Sequence, residues 1–74
     1  MSRNVVHKIK RIPRSYADLI TRCPLRPLHD EGDYDKALRI AKSLVGRIDL
    51  NIDQADYLDV LVTIIQEYEV RYFH

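Results

Sequence analysis

The last stretch of the chain, DQADYLDVLVTIIQEYEVRYFH (residues 53–74), decides the fold. Apolar residues recur in it every three or four positions, which is the spacing of an amphipathic helix. At about 100° per residue, the apolar side chains fall on one arc of a helical wheel: Tyr57, Leu58, Leu61, Ile64, Ile65, Tyr68 and Tyr72. The pattern predicts a long helix that Asp53 caps, with Asp56 at the capping-box position. Ile52, just before the cap, is expected to pack on Tyr57.

This helix needs partners inside the chain, because one buried face of a lone helix does not offset the entropy lost on ordering it. A second amphipathic pattern precedes it, with Asp30 as the predicted cap and Gly46 as the residue where the chain leaves the helix. The predicted buried arc of this second helix is Tyr34, Ala37, Leu38, Ala41, Leu44, Val45 and Ile48. The short connection DLNI (residues 49–52) predicts an antiparallel helical hairpin.

A shorter helix is predicted ahead of the hairpin, in SYADLITRC (residues 15–23). Ser15 caps it and Pro24 ends it, and Leu25 and Leu28 of the following connector can enter the core. The predicted fold is therefore all-α. It is a small helical domain (residues 15–74) in which the short first helix covers the hairpin, preceded by a basic flexible or extended arm (residues 1–14).

Charge is distributed unevenly along the chain. Residues 1–28 carry a net charge of +6 and residues 29–74 a net charge of −5. A basic arm of this kind is most simply a solvated tail, but it also suits a nucleic-acid or acidic partner. The candidate nucleic-acid residues are Arg3, Lys8, Lys10, Arg11 and Arg14.

The sequence offers little chemistry. His7, His29 and His74 stand in separate segments, and Cys23 has no neighbouring cysteine, so neither a metal site nor a nucleophilic site is expected. With two glycines in the chain there is no phosphate-binding loop. We therefore expect no catalytic residues, no metal and no cofactor. A single cysteine, the lack of a signal-peptide pattern and the lack of a long apolar run favour a cytoplasmic protein with no membrane contact.

Several apolar residues remain beyond those that three short helices can bury. They flank the predicted seam between the two long helices, and they predict a surface for another polypeptide. The candidate partner-binding residues are Ile40, Val60, Val62, Val70 and Phe73.

The sequence from Tyr16 to His74 resembles the N-terminal region of HigA-type antitoxins. The resemblance lies in PLRPL (residues 24–28), DYDKAL (residues 33–38) and, most specifically, ADYLDVLVTIIQEYE (residues 55–69). It implies a transcriptional regulator of a toxin-antitoxin system that binds a HigB-type, RelE-like ribonuclease toxin, with a helix-turn-helix domain after the helical region. The sequence stops at His74, where that family continues toward its DNA-binding helices, so operator binding is not expected of this polypeptide.

Three functions follow as hypotheses. The first is a protein-interaction module that neutralises a RelE-like toxin, forms a homodimer, or does both. The second is a fragment of a transcriptional regulator that binds DNA weakly, through the basic arm or through a missing C-terminal domain. The third is a structural dimerisation stub.

Overall fold

Three α-helices form the part of the chain that the structure describes, a computed structural model covering residues 12–73. They are α1 (Tyr16–Arg22), α2 (Glu31–Leu44) and α3 (Ile52–Phe73). The predicted all-α fold, with one short and two long helices, is confirmed.

The first two helices begin as the sequence predicts. The Ser15 hydroxyl accepts a hydrogen bond from the Asp18 amide at 3.1 Å, and the Asp30 carboxylate accepts one from the Asp33 amide at 2.8 Å. Each bond satisfies an amide that has no partner within its helix. Gly46, after the end of α2, has φ of +93°. Only glycine adopts this conformation without strain, so the chain turns out of the helix there.

The predicted cap of α3 was wrong. The cap is Asn51, whose side-chain oxygen accepts from the Gln54 amide at 2.8 Å, while the Gln54 side chain accepts from the Asn51 amide at 3.1 Å. These reciprocal bonds form a capping box two residues before the one predicted from Asp53 and Asp56. Asp53 instead accepts a hydrogen bond from the Tyr16 amide at 3.0 Å. Ile52 is 73% exposed, so the predicted packing of Ile52 on Tyr57 was also wrong.

Helices α2 and α3 pack against each other, and α1 packs against α3. Tyr34, at the start of α2, contacts Glu69 and Phe73 near the end of α3, which shows that the two long helices run antiparallel. Apolar side chains from all three helices and the connector fill the core: Leu19, Cys23, Leu28, Ala37, Ala41, Leu44, Tyr57, Leu61, Ile65 and Tyr68.

Tyr57 lies at the junction between α1 and α3. Its side chain is fully buried, and its hydroxyl donates a hydrogen bond to the Cys23 carbonyl at 2.6 Å. Burial, together with the neighbouring Cys23, raises the pKa of the Tyr57 phenol. The neutral phenol thus attaches the end of α1 to the middle of the core.

Three residues of the predicted buried arcs are exposed instead. Val45 and Ile48 are 59% and 99% exposed because α2 ends at Leu44, and the helical period no longer applies beyond it. Tyr72, in the last turn of α3, is 54% exposed.

Residues at the start of α3 form hydrogen bonds with the segment just before α1. Gln54, although polar, is buried, and its amide nitrogen donates to the Pro13 carbonyl at 3.0 Å. The Asn51 side chain donates to the Arg14 carbonyl at 2.9 Å. Ile12 packs against the core. The segment from Ile12 to Arg14, which the sequence analysis assigned to the arm, is thus part of the folded domain.

Candidate partner-binding groove

The five predicted partner-binding residues do not form one surface. At about 100° per residue, Val62 and Phe73 lie on the flank of α3 that borders α2, whereas Val60 lies on the opposite flank. Val70, 68% exposed, points away from the core between the two flanks. Ile40 is half-buried on α2 and packs against the core. Val62 and Phe73 therefore share a flank of α3, but eleven positions separate them along the helix, and only Val62 lines the groove on that flank.

An open groove of about 360 Å³ runs between α2 and α3 on this flank. We call it the hairpin groove, and its lining residues are Leu38, Ala41, Lys42, Val45, Val62, Ile65, Gln66 and Glu69. Most of its wall is apolar, and one charged residue of each sign borders it. The apolar spacing of α2 predicts that Leu38, Ala41 and Val45 are core residues. Their proximity to Val62 depends on how the helices are rotated against each other, which sequence spacing does not reveal.

A group of aromatic side chains lies next to Glu69, one of the groove residues. We call this group the aromatic cluster: Tyr34, Tyr68, Tyr72 and Phe73. Tyr34 stacks on Tyr68 with ring centroids 4.8 Å apart, and Phe73 meets Tyr34 edge to face at 5.4 Å. Tyr72 lies beside Tyr68 at 4.6 Å. Tyr68 is buried, but Tyr72 and Phe73 are each more than half exposed. The cluster therefore joins the core on one side and presents rings to solvent on the other.

A hydrogen bond connects the aromatic cluster to the groove. The Tyr34 hydroxyl donates to Oε2 of Glu69 at 2.6 Å. This hydrogen bond, with burial and the negative charge of Glu69, raises the pKa of Tyr34 to about 12. Tyr34 therefore remains a neutral donor at physiological pH, and it fixes the carboxylate of Glu69 at the border of the groove.

Acidic residues surround this end of the hairpin. Burial and the nearby charges of Glu31, Asp30 and Asp33 raise the pKa of Tyr68, and Asp35 contributes to the raised pKa of Tyr34. Within residues 12–73, the one ion pair within 4.0 Å joins Arg47 and Asp49, far from the cluster. The negative field beside the aromatic rings is thus not neutralised by a salt bridge from the described residues.

A second depression lies on the other side of the molecule, between α1 and the start of α3. This arginine cleft has a volume of about 750 Å³ and is lined by Ile12, Pro13, Arg14, Asp18, Thr21, Arg22, Arg47 and Gln54. It contains Arg14, one of the five candidate nucleic-acid residues. The other four, Arg3, Lys8, Lys10 and Arg11, lie outside the described residues.

The described residues include Cys23 and one of the three histidines, His29. Across residues 12–73, no three His, Cys, Asp or Glu side chains are placed to hold a metal ion. Cys23 is buried at the end of α1, and His29 donates its backbone amide to Asp33 at the start of α2. In the same range, no helix has the length and apolar character needed to cross a membrane.

Comparison with known proteins identifies no relative. Neither a protein-family model, nor a curated protein, nor a solved structure matches the chain.

Proposed function

We propose that this chain is a non-catalytic, cytoplasmic protein-interaction module of the HigA antitoxin type, and that it binds a RelE-like ribonuclease toxin through the hairpin groove. The observation that carries the proposal is a largely apolar groove between two packed helices, with Lys42 and Glu69 as its charged residues. An apolar cleft with a few charged groups at its border is a candidate binding site. The sequence resemblance of residues 55–69 to antitoxins supplies the identity of the partner.

Charge supports a basic partner. Residues 29–74 carry a net charge of −5, Glu69 lines the groove, and the acids at the start of α2 lie near Tyr68 of the aromatic cluster. Complementary charge accelerates association and fixes the orientation of the complex, while apolar contacts in the groove supply most of the affinity.

The test is binding of the purified chain to the RelE-like ribonuclease encoded beside its gene, measured by calorimetry and by inhibition of RNA cleavage. We expect Val62→Asp to weaken binding at least about tenfold, because it places a charge against the apolar wall of the groove. Val60→Asp is the matched control, since Val60 lies on α3 but outside the groove, and we expect it to bind within about twofold of the unchanged chain.

Three results would overturn the proposal. The first is that no gene for such a toxin lies beside the gene of this chain. The second is that the chain does not bind the toxin. The third is that the two valine variants lose binding equally. Sedimentation of the chain, read together with the toxin titration, distinguishes the third hypothesis, because a dimerisation stub forms a stable dimer and binds no toxin.

Nucleic-acid binding is a second candidate function. The observation in its favour is the arginine cleft, which brings Arg14, Arg22 and Arg47 to one depression. Phosphate contacts predict steep salt dependence and little preference for sequence. A salt titration with duplex DNA tests it, and an affinity that is unchanged in Arg14→Ala would exclude a role for the cleft.

A further inference from the structure

The aromatic cluster and the carboxylates around it form a second feature of the hairpin, distinct from the apolar groove. We infer that this end of the hairpin binds an arginine side chain of the partner protein, with the guanidinium stacked on the exposed rings of Phe73 and Tyr72 and paired with Glu69. The inference rests on the proposed function, because the arginine would belong to the protein that occupies the hairpin groove.

The first reason is that no element among residues 12–73 covers two aromatic rings of the cluster. Phe73 and Tyr72 are 56% and 54% exposed, yet both contact the buried ring of Tyr68. Tyr68 and Tyr34 therefore hold these rings in place, so a ligand would lose little side-chain entropy by stacking on them. A cation over an aromatic face is attracted by the negative charge of the ring surface.

Charge is the second reason. The acids Asp30, Glu31 and Asp33 act on Tyr68, and Glu69 is hydrogen-bonded to Tyr34 at 2.6 Å. These four acids outnumber the one cation at the rings, Arg71, so a cation that stacks on Phe73 enters a net negative field, which favours a basic ligand over a neutral or acidic one.

Glu69 favours a guanidinium over an ammonium group as the bound cation. Its Oε2 already accepts from Tyr34, and a carboxylate keeps acceptor capacity on both oxygens. A guanidinium is planar, stacks on rings and donates through two parallel N–H groups to a carboxylate, whereas an ammonium is a compact point charge. The guanidinium carbon of Arg71 already lies 5.9 Å from the ring centroid of Tyr72. Phe73 is therefore the ring on which the arginine of the partner chiefly stacks.

The experiment uses the full chain and three short peptides, hexa-arginine, hexa-lysine and hexa-citrulline, with binding mapped by amide chemical shifts. We expect hexa-arginine to shift the amides of Tyr34, Glu69 and Phe73, hexa-lysine to bind more weakly, and hexa-citrulline not to bind. Phe73→Leu should weaken hexa-arginine binding about two- to fivefold, as expected for an exposed cation–π contact.

Matched acidic variants separate the site from general electrostatics. Glu31→Gln should weaken hexa-arginine binding, because Glu31 lies beside Tyr68, whereas Glu67→Gln should not, because Glu67 lies on the opposite flank of α3. Equal effects of the two variants, no effect of Phe73→Leu, or equal affinity for hexa-lysine would overturn the inference. These results leave toxin binding through Val62 intact, so the inference and the proposed function fail separately.

A second copy of the chain is the competing occupant. If sedimentation shows a dimer that Phe73→Leu dissociates, the aromatic cluster is a self-association surface, and the assignment to a partner protein is wrong.

Discussion

Tyr57→Phe is the sharpest test of how the first helix is attached to the hairpin. The substitution removes one hydroxyl from a fully buried side chain and keeps the ring that packs the core. That hydroxyl donates to the Cys23 carbonyl at 2.6 Å, so its removal costs the hydrogen bond and leaves a buried carbonyl without this donor. We expect the free energy of unfolding to fall by about 1 to 2 kcal/mol.

The measurement is urea unfolding followed by circular dichroism at neutral pH. We expect the midpoint to fall with an unchanged m-value, because the same surface is exposed on unfolding. In a domain of this size, each kcal/mol lowers the melting temperature by about 4 to 8 °C. Tyr72→Phe is the control, since its hydroxyl belongs to a half-exposed ring, and we expect a change within about 0.5 kcal/mol. A Tyr57→Phe protein as stable as the control would refute the conclusion that this bond attaches α1 to the core.

Three further predictions concern alkaline stability, the turn after α2 and the cap of α3. The Tyr34 hydrogen bond raises its folded-state pKa from 10.0 to about 12, so its contribution to stability is complete below about pH 10 and is lost as the pH rises toward about 12. Tyr34→Phe should therefore make the urea midpoint less sensitive to pH in that window, and an unchanged dependence would contradict the assigned bond. Gly46→Ala should lower the free energy of unfolding by about 1 to 2 kcal/mol, because φ is +93° there. The control is Gly32→Ala, within α2, which should be neutral or slightly stabilising. Equal shifts of the melting temperature in the two variants would disprove the role of Gly46 in the turn. Asn51→Ala should cost about 1 kcal/mol in thermal unfolding as the loss of a helix cap, and no loss would disprove the cap assignment.

The helices themselves could be predicted from the sequence, because each long helix has a regular apolar period and its own cap or turn signal. Asp30, Ser15 and Gly46 act through local backbone geometry, and local patterns reveal them. The wrong prediction that Ile48 is buried has a local cause as well. The apolar spacing continues past Leu44, where α2 ends. At the start of α3, two residues that can both cap, Asn51 and Asp53, stood two positions apart, and the reciprocal bond with Gln54 decided between them.

The candidate site could be predicted less completely. Its chemistry, apolar side chains with acidic neighbours, was evident from the sequence, but its location was not. Val62 and Val60 have the same identity and almost the same position, yet the rotation of α3 against α2 places one of them in the groove and the other outside it. The attachment of Pro13 and Arg14 to α3 depends on hydrogen bonds between residues 37 and 41 positions apart in the chain. No local pattern carries that information.

The location of Cys23 gives this protein a built-in reporter. Its thiol is 5% exposed and is the only thiol in the chain, so a reagent must wait for the end of α1 to separate from α3 before it can react. The labelling rate then measures how often that separation occurs, much as amide exchange measures local opening. Following this rate while a ligand fills the groove on the far side of α3 would show whether occupancy there tightens the whole three-helix unit or leaves α1 to open independently.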